Sequence, residues 1–426
     1  MRKVIAFSIL YFLLINFIKG NYIIMKFYKD KYISPNYTDN IFYSRITTDI
    51  SFGTPEYNIS LDITTDSPYF VVKGSNEVNE YKQENSSSFY FVKYGHRYSY
   101  KNIYFHSVFF NENFTINESK ITINLNSMMN WSKNKSISHN YGIIGLQLND
   151  IKFQEKNIFL NQLYDKGLIK DKIFSLIYEN ESRGVLIIGD LPYNKTDLLN
   201  GKKFKFCNNS FIANGIVYGA IFDEIKYTEK YYFFKKIRKK ETNYLALFSN
   251  YYFGYIGSKE YSNFINETFF KDKLKTNSCW THNLDDDKFY GYICNGNVDT
   301  SSIHPINFYH KGLDYIFEIE NKEMWIGNND LKYFLIYFSY NNQYSWILGQ
   351  KFLEKYPIVL NGEKNMIGLY FMESNNTFSN FYSYIIFFFF IILIIFIYYK
   401  YIRPKCIRSS LKKKLEEGIE LEDILI

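Results

Sequence analysis

The stretch from Gly53 to Val72, GTPEYNISLDITTDSPYFVV, constrains the fold more than any other part of the chain. Within it Ile59-Ser60-Leu61-Asp62-Ile63 alternates apolar with polar side chains, the period of a strand with one face on a core. The strand ends in Thr64-Thr65-Asp66-Ser67. The same alternation returns at Lys203-Phe204-Lys205-Phe206. Helical periodicity is scarce; Asn157 to Lys166 shows it, ahead of Gly167, where a helix C-terminus favours glycine. Such a pattern predicts a strand-built body with a few short helices. The charged run Lys235-Lys236-Ile237-Arg238-Lys239-Lys240-Glu241 reads as a solvated hairpin loop, with a processing site as the alternative.

The ends bound this body. Arg2 and Lys3 followed by the apolar run Val4 to Ile18 and a small residue, Gly20, read as a secretion signal. Phe381 to Tyr399 holds no charge, and its nineteen residues, at about 1.5 Å each, match a hydrocarbon core of about 30 Å. Basic residues from Lys400 to Lys414 follow, which places the tail in the cytosol by the positive-inside rule. The expectation is a single-pass type I membrane protein with a lumenal or extracellular body. Glu420-Leu421-Glu422-Asp423-Ile424-Leu425 resembles an acidic dileucine sorting sequence, or ends a short amphipathic helix.

Of the formal charge of +7, +3 belongs to the leader and +2 to the tail, which leaves the body near +2. That is too little and too dispersed for nucleic-acid binding. Tyr (42) and Phe (41) are so abundant, beside much Ile and Asn, that a compositional bias inflates chance motif matches. The glycosylation sequons at Asn36, Asn113, Asn130, Asn194, Asn266 and Asn375 carry less weight for it, and Asn58, on the strand before Thr64, least. Of four cysteines, Cys279 and Cys294 can close one loop, Cys406 lies beside the membrane within reach of palmitoylation, and Cys207 has no obvious partner. No Cys/His spacing suggests a metal, and no cofactor is expected.

In order along the chain, several motifs resemble those of pepsin-like aspartic proteases. Gly53-Thr54-Pro55 leads, eleven residues after the glycine, to Thr64, where the family has the catalytic Asp of D-T-G-S. Tyr94-Gly95 falls at the flap Tyr-Gly, expected at a hairpin tip, with His96 and Arg97 making that tip bulkier. Tyr141 to Leu146, Leu163 to Ser175, Gly184 to Asp190, His304 to Phe308 and Trp346-Ile347-Leu348-Gly349 followed by Tyr356 and Ile367-Gly368-Leu369 match further segments. Ala246-Leu247-Phe248-Ser249 with Gly257 aligns to the second active-site loop and places Ser249 at the second Asp. The resemblance implies a mostly β, bilobal fold with one peptide-binding cleft, two loops each buttressed by an apolar-apolar-Gly strand, and a Cys279–Cys294 disulfide.

It also implies lost chemistry. The family's two carboxylates share a proton and activate a water between them. Thr64 and Ser249 do not ionise near neutral pH and cannot act as the base. Asp66 and Tyr251 replace the two turn glycines, and Asn250 the second threonine. Asp62 and Asp66 are the nearby acids, and neither has a counterpart around Ser249.

The expected organisation is a signal peptide over 1–20, an N-terminal lobe over 21–195, a C-terminal lobe over 196–373, a stalk over 374–380, a transmembrane helix over 381–402 and a cytosolic tail over 403–426. The expected function is a monomeric, membrane-anchored, catalytically inactive homologue that binds an extended peptide or protein partner in its cleft, with Tyr94 and Gly95 closing over it. An active aspartic endopeptidase with atypical residues is the first alternative, and a surface scaffold or adhesin with a closed cleft the second.

Overall fold

The computed structural model describes residues 22–29, 42–43, 45–54, 56–65, 67, 70–73, 86–87, 90–100, 103–116, 121–130, 142–147, 158–192, 197–210, 218–231, 234–284, 287–327, 330–341, 345–372 and 388–416. The chain divides into two compact units, Met1–Phe371 and Met372–Ile426.

Strands dominate the first unit. A thirteen-stranded sheet starts at Lys202–Asn208 and continues through Met366–Met372, Ile358–Asn361, Ile173–Asn180, Arg183–Ile188 and Ile23–Lys29. It then runs through Ile46–Phe52, Tyr57–Thr64, Gly142–Gly145, Phe70–Lys73, Ile121–Asn130 and Ile103–Ile116 to Tyr90–Tyr100. An eleven-stranded sheet is built on the long hairpin of Gly219–Tyr231 with Phe234–Phe248. Trp346–Leu348 follows beside Phe234–Phe248, then Tyr255–Ile256, Ile336–Ser339 and Phe289–Asn295. The last strands encoded, Ile358–Asn361 and Met366–Met372, leave the second sheet and join the first beside Ile173–Asn180. Strands from either side of residue 195 are thus neighbours in the first sheet.

Local sequence explains the elements. Tyr57–Thr64 buries Ile59, Leu61 and Ile63, the apolar half of its alternation. The helix Phe159–Asp165 stops at Gly167, whose φ of 66° is the left-handed conformation that glycine adopts without strain. Trp346, fully buried, meets Tyr261 at 5.3 Å and Phe308 at 5.2 Å between ring centroids and so locks helix to sheet. Cys279 and Cys294 stand directly opposite in a hairpin and form a disulfide. Closing that 15-residue separation stabilises by about 3 kcal/mol. Cys207 is a buried free thiol, pushed up to about 12 by its burial and so unreactive.

Two sequence expectations are corrected. The charged run from Lys235 to Glu241 is not a loop; it forms the first half of strand Phe234–Phe248, in register with Gly219–Tyr231, because the hairpin reverses at its start. Lys240 engages Glu224 across the pair, and Glu241 is buried. Gly95 does not cap a hairpin either. It lies inside strand Tyr90–Tyr100 at an irregularity between Tyr94 and Arg97, while the reversal joins Tyr100 to Ile103. The side chains of Tyr94, His96 and Arg97 are outside the described set.

The second unit, taken by itself, is helical over residues 388–397, passes through a π-helical turn at Tyr398–Ile402 and continues as helix Arg403–Glu416. Phe388 to Tyr401 expose most of their apolar side chains, Phe389 to 65 %. Among the described residues no helix is long and apolar enough to cross a membrane. Residues 381–387 of the charge-free run, the leader at 1–20 and the acidic dileucine segment lie outside the described residues.

Candidate functional site

The two loops that follow Tyr57–Thr64 and Phe234–Phe248 are built alike. In the first, Tyr57–Thr64 runs parallel to Gly142–Gly145, with Thr64 level with Gly145. Phe70–Lys73 then returns antiparallel on the other side of that strand. In the second, Phe234–Phe248 runs parallel to Trp346–Leu348, with Phe248 level with Leu348. Tyr255–Ile256 then returns antiparallel to it. Ser249 is one step past Phe248 and so level with Gly349. Thr64 and Ser249 thus occupy equivalent registers, as their alignment requires. The apolar-apolar-Gly strands are central in both arrangements. A Cβ on Gly349 would lie 2.0 Å from the Gly254 carbonyl oxygen; in the first arrangement the close approach is at the other end of the strand, where one on Gly142 would lie 2.0 Å from the Val71 carbonyl oxygen.

Side chains tie the loops to each other. The Asn250 amide oxygen accepts from the Thr65 backbone N–H at 3.1 Å and from the Thr65 hydroxyl at 3.2 Å. The Asn250 amide nitrogen donates to the Ile63 carbonyl at 2.7 Å. Asn250 is 2 % and Thr65 3 % exposed, so these bonds work in a poorly solvated setting where breaking them is costly. Tyr218 adds a hydroxyl bond of 2.8 Å to the Leu146 carbonyl.

Beyond Asn250 the second loop is aromatic. Phe42, fully buried, packs edge-on against Tyr252 and Tyr337, and its carbonyl accepts from Phe253 N–H at 3.0 Å. Tyr43 forms a β-bridge with Tyr252 and lies 4.9 Å from the Tyr251 ring. Two residues that precede the first-loop strands thereby cover the second loop. From below, Gln350 and Lys351, the first residues of helix Gln350–Lys355, donate their N–H groups to the carbonyls of Tyr252 and Phe253 at 2.8 and 3.0 Å. This satisfies donors that a helix start otherwise leaves unpaired. The Lys29 ammonium sits 3.8 Å from the Phe253 ring centroid and Lys351 5.1 Å, and burial lowers the pKa of Lys29.

Hydroxyls, an amide and one buried acid line the described part of the site. Thr64 is 3 % and Ser249 6 % exposed. The Ser249 hydroxyl accepts from Tyr251 N–H at 3.2 Å, which braces its own loop. Asp62 is buried on the same strand face as Thr64, two residues earlier. Asp66 lies outside the described residues. No group of three His, Cys, Asp or Glu that could hold a metal occurs among the described residues. A separate concavity of about 240 Å³ between Ser262, Tyr290 and Tyr340 has its hydroxyls already engaged, Ser262 with Tyr290 and Tyr340 with Asn283.

Thr64 and Ser249, expected at the two loops, each lie at the end of a strand that pairs with one of the two apolar-apolar-Gly strands. Sequence reasoning assigned no role to Asn250 beyond a substitution, although an amide that both donates and accepts is the signal for such a cross-tie. It missed Phe42 and Tyr43 altogether, since aromatics are too common in this chain for a pair to stand out.

Among protein families, the one described as eukaryotic aspartyl protease matches residues 45–370. No curated protein matches the chain.

Proposed function

The chain belongs to the eukaryotic aspartyl protease family, and from that premise we propose that it is a non-hydrolysing member that holds an extended peptide or protein segment at its two site loops. The support comes above all from the matching strand registers that Thr64 and Ser249 follow, neither of them an acid, with the Thr65–Asn250 tie joining the two loops beside them. Two neutral hydroxyls can hydrogen-bond a peptide carbonyl but cannot share a proton and activate water. The strand Tyr90–Tyr100, with Tyr94 and Gly95, supplies main-chain groups to the bound segment.

The charge-free run from Phe381 to Tyr399 anchors the protein by one pass, with a leader at 1–20, a glycosylated body outside the cytosol and a basic tail within it. The scaffold reading keeps one specific support, the packing of Phe42 and Tyr43 over Tyr251 and Tyr252, which narrows room beside the second loop.

The full-length protein in detergent is expected to leave a mixed peptide pool uncut from about pH 3 to about pH 7, by mass spectrometry, while retaining a subset of it on a column. Cutting that vanishes in Asp62→Asn would make the protein a peptidase. Absence of retention in both the natural chain and Tyr251→Gly would leave the scaffold.

A further inference from the structure

Glu241 belongs to none of this, yet it is the most unusual acid described in the second sheet. It is 6 % exposed, and one carboxylate oxygen accepts from the Ser258 hydroxyl at 2.8 Å. The other oxygen is buried with no hydrogen-bond partner. The indole N–H of Trp346, likewise buried and outside hydrogen-bond geometry, still faces the carboxylate closely enough to favour its charged form, though less than burial opposes it. Ser258 is fully buried and caps the helix Lys259–Ile265, accepting from Tyr261 N–H at 3.1 Å.

The position matters more than the burial. Glu241 precedes Ser249 on the strand that delivers the second site loop, and Ser258 follows the loop's return strand Tyr255–Ile256. Their hydrogen bond therefore joins the two ends of the segment that carries Ser249 to Phe253. Trp346, beside them, opens the strand that leads to Gly349, over which the loop crosses.

The charged and titratable groups around Glu241 offer no compensation. Glu260, in the first turn of the helix, is a like charge and accepts from the Tyr244 hydroxyl at 3.4 Å. Tyr227 and Tyr261 are buried phenols. On the paired strands, Lys226 and Lys240 are committed to Glu224. No Lys or Arg pairs with Glu241 among the described residues. An ionised carboxylate here carries a desolvated charge that Ser258 and the Trp346 indole offset only in part, whereas a protonated one has no charge to desolvate.

We propose that Glu241, tied to Ser258, is a proton-operated clasp at the base of the second site loop: neutral, it sits stably in the dry site, and ionised, its desolvated charge loosens the loop ends that it joins, even though the Ser258 bond itself is stronger to a carboxylate. Burial, with Glu260 adding to it, raises the acid to about 7 from an ordinary 4.5. In the folded chain it keeps a proton that the unfolded chain has released between about 4.5 and about 7. The contribution is complete below the lower limit and lost as pH rises through the upper one. This holds whether the loops bind a peptide, cut one or do neither.

The test is the thermal unfolding midpoint of the full-length protein from about pH 5 to about pH 8, with Trp fluorescence followed in parallel. Glu241→Gln, a neutral mimic of the protonated acid, is expected to keep its midpoint at the upper end of that range while the natural chain loses stability there. Glu260→Gln is expected to move the natural transition to lower pH. A natural slope retained in Glu241→Gln, or a transition unmoved by Glu260→Gln, would overturn the clasp.

Discussion

At the first site loop Thr64 stands beside Gly145 and is followed by the buried Thr65, with Leu146 N–H on the Thr64 carbonyl and Gln147 N–H on that of Ser67. At the second, Ser249 stands level with Gly349 and is followed by Asn250, Tyr251, Tyr252 and Phe253. The backbone pairings correspond strand for strand, but the side chains do not. Among the described residues, the first loop shows backbone bonds, Thr65 and the Tyr218 hydroxyl on the Leu146 carbonyl. The second is held by an amide reaching into the first, by aromatic rings packed on Phe42 and Tyr43, and by the start of a helix beneath it. The difference shows that the shared frame resides in the crossing strands, while the side chains that hold each turn differ between the two loops.

The strongest way to break that comparison is Gly349→Ala. The added carbon would lie 2.0 Å from one carbonyl oxygen and 2.4 Å from another, neither on a movable side chain. A loss of more than about 4 kcal/mol is expected, seen as failure to unfold cooperatively in urea. Phe42→Ala should cost about 3–4 kcal/mol by emptying a fully enclosed site. In hydrogen exchange its effect should concentrate on Tyr251 to Phe253 and leave Thr64 and Thr65 protected. Asn250→Ala strands the Ile63 carbonyl and Thr65 N–H, at about 2–3 kcal/mol, and unlike Phe42→Ala should loosen both loops together in the same measurement.

Acid sharpens the picture from the second sheet. Burial lowers the imidazole of His282 to about 4 from 6.5. Between those limits the unfolded chain binds a proton that the folded chain refuses, so stability falls as pH drops through the window. His282→Gln should lessen that fall by on the order of 1–2 kcal/mol, the side chain being partly exposed, measured by melting on either side of the window. This slope is opposite in sign to that of Glu241, so the two substitutions separate. Smallest in stability is Tyr251→Gly, about 1 kcal/mol from the two lost ring contacts with Tyr43 and Tyr252. It should nonetheless raise peptide retention if Tyr251 narrows the second loop.

Much of the fold was legible because strands that bury one face must alternate, as Ile59 to Ile63 do, and because Trp346-Ile347-Leu348-Gly349 states a crossing that only a narrow backbone permits. Thr64 and Ser249 came instead from resemblance to the family's two site motifs. The charged run at Lys235 to Glu241 misled because a long two-stranded ribbon can carry charge on its strands, so hydrophilicity there did not mark the turn. Glu241 was hidden inside it: burial of one acid in seven residues is decided by distant Ser258 and Trp346, not by its neighbours. Gly95 misled in a similar way, since a glycine serves an irregularity within a strand as well as it serves a turn. The contact of Phe42 with the second loop joins segments about half the chain apart, and no local pattern announces it.

The strands Ile358–Asn361 and Met366–Met372 complete a sheet begun by Ile173–Asn180. During synthesis the earlier strand therefore leaves the ribosome long before its neighbour exists, and one of its edges waits unpaired. Pairing across so long an interval is slow, because loop closure precedes any reward from contact. An exposed edge of this kind invites association with other chains in the meantime. Shortening the chain just before Ile358 should consequently yield not a stable half-molecule but a product that accumulates with chaperones or aggregates.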